Sequence, residues 1–189
     1  RVDPWNKSRA WRRWFRQEQR GWELLIPGLL LGMAAWIILR AHDRWGDERD
    51  IDLAMRVGRH LLATAGETES GLSWPMSPDF PRVMPNFSHG TAGVAFFLAR
   101  LAEETGDESF LDGAIAGGER LLALTDDGLI HHHTPGGEDL YYLGWCHGPA
   151  GTNRLYGQLH GMTGEARWRS AARAGAAAIL ATGAPAQRS

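Results

Sequence analysis

Apolar residues recur along this chain in two alternating helical patterns, one amphipathic and one apolar on every side. After Asp47, Asp107 and Glu165, hydrophobic positions are spaced three and four residues apart, with charged residues between them. Helices of this kind bury one face. Residues 35–39 and 94–99 are apolar throughout, which indicates helices buried on most sides. The pattern therefore predicts pairs that each contain one inner and one outer helix.

Breaks in these patterns set the predicted helix boundaries. Gly46, Gly106 and Gly164 follow the inner stretches, at the place where glycine suits the residue just past a helix C-terminus. An acidic residue that can cap the next helix comes directly after each glycine. The sequence thus predicts an all-α fold with tight turns inside each pair. The predicted helices cover residues 29–44, 48–64, 92–105, 108–124, 150–162 and 166–181.

The helix pairs belong to a sequence repeat. A His-Gly-x-Ala-Gly core occurs at residues 89–93 and again at 147–151, so His89 and His147 hold the same place in consecutive copies. A weaker Gly-Met-Ala-Ala echo begins at Gly32, one further period before Gly90. A period of this length, about 58–60 residues, is typical of repeat architectures. The simplest arrangement is three helical hairpins, with inner helices side by side in a ring and outer helices wrapped around them.

The segments that join one pair to the next are rich in proline and glycine. Residues 71–85 contain four prolines, and residues 128–144 contain three consecutive histidines. Loops of this length without a helical pattern tend to carry function, and both end at a glycine motif. Adjacent side chains in an extended segment point to alternate sides, so we expect the three histidines not to share one metal ion.

Composition changes the picture only near the N-terminus. The chain has 189 residues and a net charge of -2, which suits one domain and gives no sign of a nucleic-acid partner. Residues 1–20 carry seven basic and two acidic residues, a formal charge of +5, with tryptophans between them. We interpret residues 1–23 as a basic, Trp-rich segment that caps the array. Contact of residues 1–22 with a membrane surface is the alternative.

The helical array is expected over residues 24–182, with a tail at 183–189. Residues 24–39 are sixteen uncharged positions, short of the roughly 20 that a membrane span needs, so we assign them to an inner helix. No small-residue cleavage site follows them, which argues against a signal peptide. A single cysteine and no export signal favour a reducing, cytoplasmic location.

The only cysteine lies in the second copy of the glycine motif, Gly144-Trp145-Cys146-His147-Gly148. A lone cysteine cannot form an internal disulfide. From the residues alone, Cys146 is a buried small side chain, a nucleophile or a metal ligand.

Three strings of the sequence together resemble the lanthionine synthetase C-like (LanC-like) family. They are Gly-Leu-Ser-Trp-Pro at residues 71–75, Asn-Phe-Ser-His-Gly-Thr-Ala-Gly-Val at 86–94 and Leu-Gly-Trp-Cys-His-Gly-Pro-Ala-Gly at 143–151. The resemblance covers roughly residues 27–180 and implies an α/α toroid of the hairpin-barrel type. A full toroid has more repeats than the three found here.

The resemblance also implies a zinc site at the mouth of the ring. There the family adds a thiol to dehydroalanine or dehydrobutyrine and so forms a thioether. The thiol comes from a cysteine of a dehydrated peptide substrate or from glutathione. Cys146 would be a zinc ligand, His89 the catalytic acid/base group, and His147 a further ligand or a side chain that supports the site. The chain has no second cysteine, so the remaining zinc ligands are expected outside it.

Two other functions stay open at this point. One is a non-catalytic LanC-like module that binds a thiol or glutathione without turnover. The other is a different helical-toroid enzyme, acting on carbohydrate, which would need two carboxylates around the sugar bond. The loops offer Asp79, Glu138 and Asp139, but these do not recur in pairs.

Overall fold

The structure is a computed structural model that describes residues 28–77, 80–88 and 90–184, without the side chains of residues 28–35, 76, 77, 80 and 81. Four features of the sequence fall outside the described residues. These are the basic N-terminal segment with its membrane-contact alternative, the last five residues of the tail, Asp79 and the candidate catalytic residue His89.

Six helices in the described part of the chain form three consecutive pairs, as the sequence predicts. The inner helices α1, α3 and α5 span Gly28–Trp45, Thr91–Thr105 and Pro149–Thr163, and the outer helices α2, α4 and α6 span Glu48–Ala63, Glu108–Ala123 and Ala166–Ala181. Every predicted boundary lies within one residue of the observed one. Among these helices, none is long and apolar enough to cross a membrane.

The turns inside the pairs have the predicted chemistry. Gly46, Gly106 and Gly164 adopt φ values of 65°, 70° and 71°, a left-handed conformation that glycine reaches without strain. The Asp47 and Asp107 carboxylates accept hydrogen bonds from backbone N–H groups of the first turn of α2 and α4, at 3.1 and 3.0 Å. Glu165 holds the same position before α6 but makes no side-chain capping bond.

The inner helices α1, α3 and α5 pack side by side in chain order, and each outer helix packs on its own inner helix. The middle helix α3 is enclosed by both neighbours, and its residues Phe97, Leu98 and Leu101 are fully buried. Trp74 and Trp168 complete the core at the outer helices and have 1% and 0% exposed surface. The arrangement confirms the helical-hairpin array and the predicted division into inner and outer helices.

The segments between the pairs contain short antiparallel strands that the sequence patterns did not predict. The strands are β1 (Gly66–Thr68), β2 (Gly71–Ser73), β3 (Pro75–Ser77), β4 (Phe80–Val83), β5 (Thr125–Asp126), β6 (Leu129–His133) and β7 (Gly137–Tyr141). They pair as β1–β2, β3–β4 and β5–β6–β7. Val83 and Thr134 exchange two backbone hydrogen bonds of 2.9 and 3.0 Å and so tie the two segments together. The pairing gives the backbone groups of these segments the partners they need.

Candidate functional site

The two glycine motifs meet at the end of the array where α3 and α5 begin. The backbone N–H groups of Phe87 and Ser88 donate to the carbonyl oxygen of Cys146 at 3.1 and 3.2 Å. The Ser88 hydroxyl donates to the same oxygen at 3.3 Å. Ser88 and Cys146 are separated by one repeat period, so these bonds join equivalent positions of neighbouring repeats. The repeat therefore places the two motif loops side by side.

Glycine is needed where each loop folds back on its helix. A Cβ atom at Gly93 would collide with the carbonyl oxygen of Phe87, and one at Gly151 with that of Trp145. At Gly151 it would also lie 2.7 Å from the Phe87 Cβ atom, which belongs to the neighbouring loop. The absence of a side chain at these positions lets the loops approach each other and the helices closely.

Cys146 presents its side chain to solvent while its backbone is fixed. The residue is exposed and its thiol is not in a disulfide. The adjacent Trp145 is 43% exposed, and its ring packs edge-on to that of Phe87 with centroids 5.2 Å apart. Since it is exposed, Cys146 is not a buried small side chain. Its position is compatible with a nucleophile or a metal ligand.

The His147 imidazole is oriented by groups on two sides. Its Nδ1 atom lies 3.0 Å from the side-chain amide nitrogen of Asn86, a residue with 1% exposed surface in the preceding motif loop. Its ring stacks on that of His132 with centroids 4.9 Å apart and planes 17° from parallel. If the Asn86 amide donates, Nδ1 is the acceptor and the proton of the neutral ring is on Nε2. His147 is thus held rigidly next to Cys146 in the chain.

Three consecutive histidines, residues 131–133, form a histidine tract. Among the ring contacts of the described residues, only His132 of this tract contacts a motif loop. His131 packs against Tyr141, whereas His132 contacts both His147 and Tyr142. The Nδ1 atoms of His132 and His133 lie 2.8 Å apart. Burial, and to a smaller extent the charge of His133, lower the pKa of His132. The tract therefore approaches the motif loop through His132, which lies against the residue that follows Cys146 in the chain.

The described residues do not form a complete zinc site. They contain no group of three or more His, Cys, Asp or Glu side chains that could hold a metal ion. Catalytic zinc takes three protein ligands and leaves one position open. Cys146 offers one thiolate ligand on an exposed loop. A complete ligand set would therefore need at least one ligand from outside the described residues.

Three residues of this region were missed in the sequence analysis: Asn86, His132 and Arg154. The guanidinium carbon of Arg154 lies 5.5 Å from the ring centroids of both Phe87 and Phe96. The repeat does contain a signal for this residue. Arg154 lies one repeat period after Phe96, so a charged residue follows an apolar one at the same position of the next inner helix. The sequence gives no comparable signal for the contacts of Asn86 and His132 with His147, because each contact joins side chains of two different loops.

Comparison with known proteins gives a family and a set of similar folds. The sequence model described as lanthionine synthetase C-like protein matches residues 16–184. No curated protein matches the sequence.

Several solved structures share the fold. One is an inactive variant of the α-1,6-mannanase GH76A of Salegentibacter sp. HEL1_6 in complex with α-1,6-mannotetrose, with a TM-score of 0.67 and 18% identity over 82% of this chain. Another is the Lin0763 protein from Listeria innocua, with a TM-score of 0.64 and 17% identity over 77% of this chain. The chain spans 47% and 43% of these two structures, about half of each. At this level of identity the likeness extends to the fold alone.

Proposed function

This chain belongs to the lanthionine synthetase C-like family, and on that premise we propose that it contributes to the zinc-dependent addition of a thiol to dehydroalanine or dehydrobutyrine. One observation carries the proposal. Ser88, the residue before His89, hydrogen-bonds through its backbone to Cys146, so the loops that contain the two candidate groups are in direct contact. The proposal includes the substrates, which are a dehydrated peptide and a thiol donor such as glutathione, and a cytoplasmic location.

Cys146 is the zinc ligand that this chain would supply. A free thiol has a pKa of about 8.5 and is a weak nucleophile at neutral pH. Zinc, when bound, supplies the positive charge that keeps a thiol ionised. The backbone bonds from Phe87 and Ser88 hold the Cys146 loop in place, and its exposed side chain is open to a substrate. At least one further ligand would lie outside the described residues.

The proposed role of His89 is to move a proton. The donor sulfur forms a bond to the β-carbon of the dehydro residue, and the electron pair of the double bond moves toward the α-carbon. The α-carbon then takes a proton, while the donor thiol has lost one, so the addition is redox-neutral. An imidazole with a pKa of about 6.5 can deliver that proton at neutral pH. We assign this step to His89.

The arrangement gives the other side chains supporting roles. His147, fixed by Asn86 and His132, would orient the Cys146 loop. Tyr142 and Trp145, 49% and 43% exposed, would form the walls against which a peptide packs. Aromatic side chains with this exposure suit a surface that is partly apolar and partly wet.

The carbohydrate alternative has weaker support. One structure of similar fold is an α-1,6-mannanase. The described part of this chain, however, offers no paired carboxylates at the motif loops. Hydrogen bonds, chiefly from its own backbone N–H and also from Thr134 and Gly136, lower the pKa of Glu138. A glycosidase acid needs a raised pKa. Glu138 instead caps the turn between β6 and β7.

The test is direct detection of the thioether. The full-length protein with zinc is incubated with a dehydroalanine peptide and glutathione, and mass spectrometry follows the gain of one glutathione mass. We expect adduct formation by the wild type, its loss in Cys146→Ala, and wild-type rates in Ser170→Ala, an exposed position on α6 that serves as the control. Glutathione binding without any adduct would support the non-catalytic module instead.

A further inference from the structure

Arg154 breaks the apolar pattern of the inner helices at one repeat position. The equivalent residues one and two repeat periods earlier are Phe96 on α3 and Ile38 on α1. Phe96 is 8% exposed, whereas Arg154 on α5 is exposed. Packing alone would be satisfied by an apolar side chain here, as in the other two repeats. A cation at this position therefore calls for a different explanation.

The Arg154 side chain rests on an aromatic platform. Its guanidinium carbon is 5.5 Å from the centroids of both Phe87 and Phe96, and these two rings are 5.3 Å apart. Stacking on aromatic faces is a favourable cation–π arrangement. A guanidinium group held against aromatic rings in this way still has its N–H donors for hydrogen bonds to a ligand. The two rings thus locate the Arg154 guanidinium group beside the Phe87 loop.

Within the described residues, Arg154 has no carboxylate partner at ion-pair distance. Other arginines of the structure are paired: Arg100 contacts Glu103 and Glu104, and Arg167 contacts Glu119 and Glu165. The guanidinium group of Arg154 instead contacts the rings of Phe87 and Phe96. A preorganised guanidinium group of this kind matches the geometry of a carboxylate, which it can bind through two parallel hydrogen bonds.

A short chain of contacts connects Arg154 to the candidate site. Its partner Phe87 packs against Trp145 with ring centroids 5.2 Å apart, and the Phe87 N–H donates to the carbonyl oxygen of Cys146. Arg154 also lies one helical turn after Gly151, whose backbone approaches the same two loops. The guanidinium group therefore lies on the side of α5 that faces the junction of the motif loops.

We propose that Arg154 binds a carboxylate of the thiol donor and so positions the donor beside Cys146. The assignment rests on the proposed thiol addition and makes Arg154 a specificity-determining residue for it. The donor class is a thiol that bears a free carboxylate, such as a cysteine derivative or a cysteine-containing peptide with an exposed carboxyl group. Neutral thiols would lack this anchor.

Binding of unreactive probes tests the assignment without turnover. Calorimetry compares N-acetyl-S-methylcysteine with its neutral amide on the full-length protein. We expect the carboxylate to bind about 10- to 100-fold more tightly, the range for a hydrogen bond to a charged group. Arg154→Gln should remove the difference, and Arg154→Lys should restore only part of it because lysine lacks the planar fork. Arg169→Gln, an exposed arginine on α6, is the control and should bind as the wild type does.

Equal binding of the two probes by the wild type would overturn the proposal, and this comparison needs no variant. A preference that survives in a folded Arg154→Gln protein would overturn it as well.

Adduct assays with N-acetylcysteine and its amide then separate the role of Arg154 from the proposed thiol addition itself. Adduct formation at equal KM for both thiols would contradict the role of Arg154 but leave the proposed reaction. A carboxylate preference in binding, without any adduct, would contradict the reaction and leave the Arg154 site. Adduct formation that depends on a carboxylate of the dehydroalanine peptide, and not on one of the thiol, would overturn the assignment of Arg154 to the donor.

Discussion

At the scale of single residues, one repeat position has two different uses in neighbouring loops. Ser88 is 8% exposed, and its hydroxyl donates to the backbone of the next loop. Cys146, at the same position of the next repeat, is exposed and carries the only thiol of the chain. The same repeat position therefore holds a hydroxyl that bonds to the neighbouring loop in one repeat and an exposed thiol in the next.

The role of His89 gives a prediction at this scale. If His89 delivers the proton to the α-carbon, His89→Asn should slow thiol addition by roughly 10²–10⁴-fold, the usual size of general acid–base catalysis. Substrate binding should change little. The wild-type rate should fall as pH rises through the pKa of the histidine, because the acid form is lost, and the variant should lack this limb. Initial rates of adduct formation across pH provide the measurement.

The competing role of His89 is purely structural. Asparagine can still cap a helix or shape a loop, so His89→Asn would then keep nearly normal turnover and an unchanged pH profile. That result would remove His89 from the proposed mechanism. It would leave the assignment of Cys146 intact, since the two residues are assigned independently.

The sequence alone pointed to the candidate reactive residues, but not to the contacts around them. Cys146 and His89 could be proposed because they stand in recognisable strings. The support of His147 by Asn86 could not, since it joins side chains on loops of two different repeats. The stacking of His132 on His147 likewise depends on how the β6–β7 hairpin lies against the motif loop. Such contacts follow from tertiary placement, which local patterns do not contain.

At the scale of elements, two of the three glycines of α5 lie in opposite environments. Gly151 faces the motif loops, where a Cβ atom would collide with backbone, and Gly157 has nothing within 4 Å of the Cβ position. Gly151→Ala should lower the free energy of unfolding by about 1–3 kcal/mol because it overpacks a rigid contact. Gly157→Ala, the matched control, should raise it by about 0.5–1 kcal/mol because alanine favours a helix. Urea unfolding of both variants measures the difference.

Equal effects of the two substitutions would contradict the close approach of the loops to α5. Stabilisation by Gly151→Ala would do so most clearly. A loss of stability in that variant alone, together with lower adduct formation, would connect the packing of the loops to the site.

The elements themselves were predictable to different degrees. The helix boundaries follow from local signals, namely the apolar spacing, the left-handed glycines and the acidic caps at Asp47 and Asp107. The strands are very short, so an alternating pattern has no room to stand out. The strands pair with their neighbours in the sequence, and a further bridge joins Val83 of β4 to Thr134. Apolar spacing and capping signals therefore predict the helices, whereas these strands are too short to show a pattern of their own.

At the scale of the molecule, the described array has three inner helices in a row. The middle helix α3 has an inner neighbour on each side, and α1 and α5 have one each within the described residues. On α1, Ile37 is 60% exposed, and on α5, the Cβ positions of Gly157 and Gly161 have nothing within 4 Å. Repeat arrays bury their core only through neighbouring units. The chain also spans only about half of the toroid structures it resembles, 47% for the Salegentibacter mannanase.

We therefore expect the 189-residue chain in isolation to associate in solution. Sedimentation velocity should show larger species as concentration rises. Ile37→Lys should weaken the association, because it places a charge on an exposed apolar position of an end helix. Leu140→Lys changes an exposed apolar residue of the β7 strand, which is not part of an end helix, and should have no such effect. A chain that stays monomeric at every concentration would contradict this expectation.

The central claim is that Cys146 is a zinc ligand at the junction of the two motif loops. The zinc content of the purified full-length protein tests it most directly, measured by plasma emission spectrometry for the wild type and for Cys146→Ala. We predict one zinc per wild-type chain and a large loss of zinc in the variant, because alanine cannot replace a thiolate ligand. Ser170→Ala should retain the wild-type content. One zinc per chain in Cys146→Ala would contradict the account.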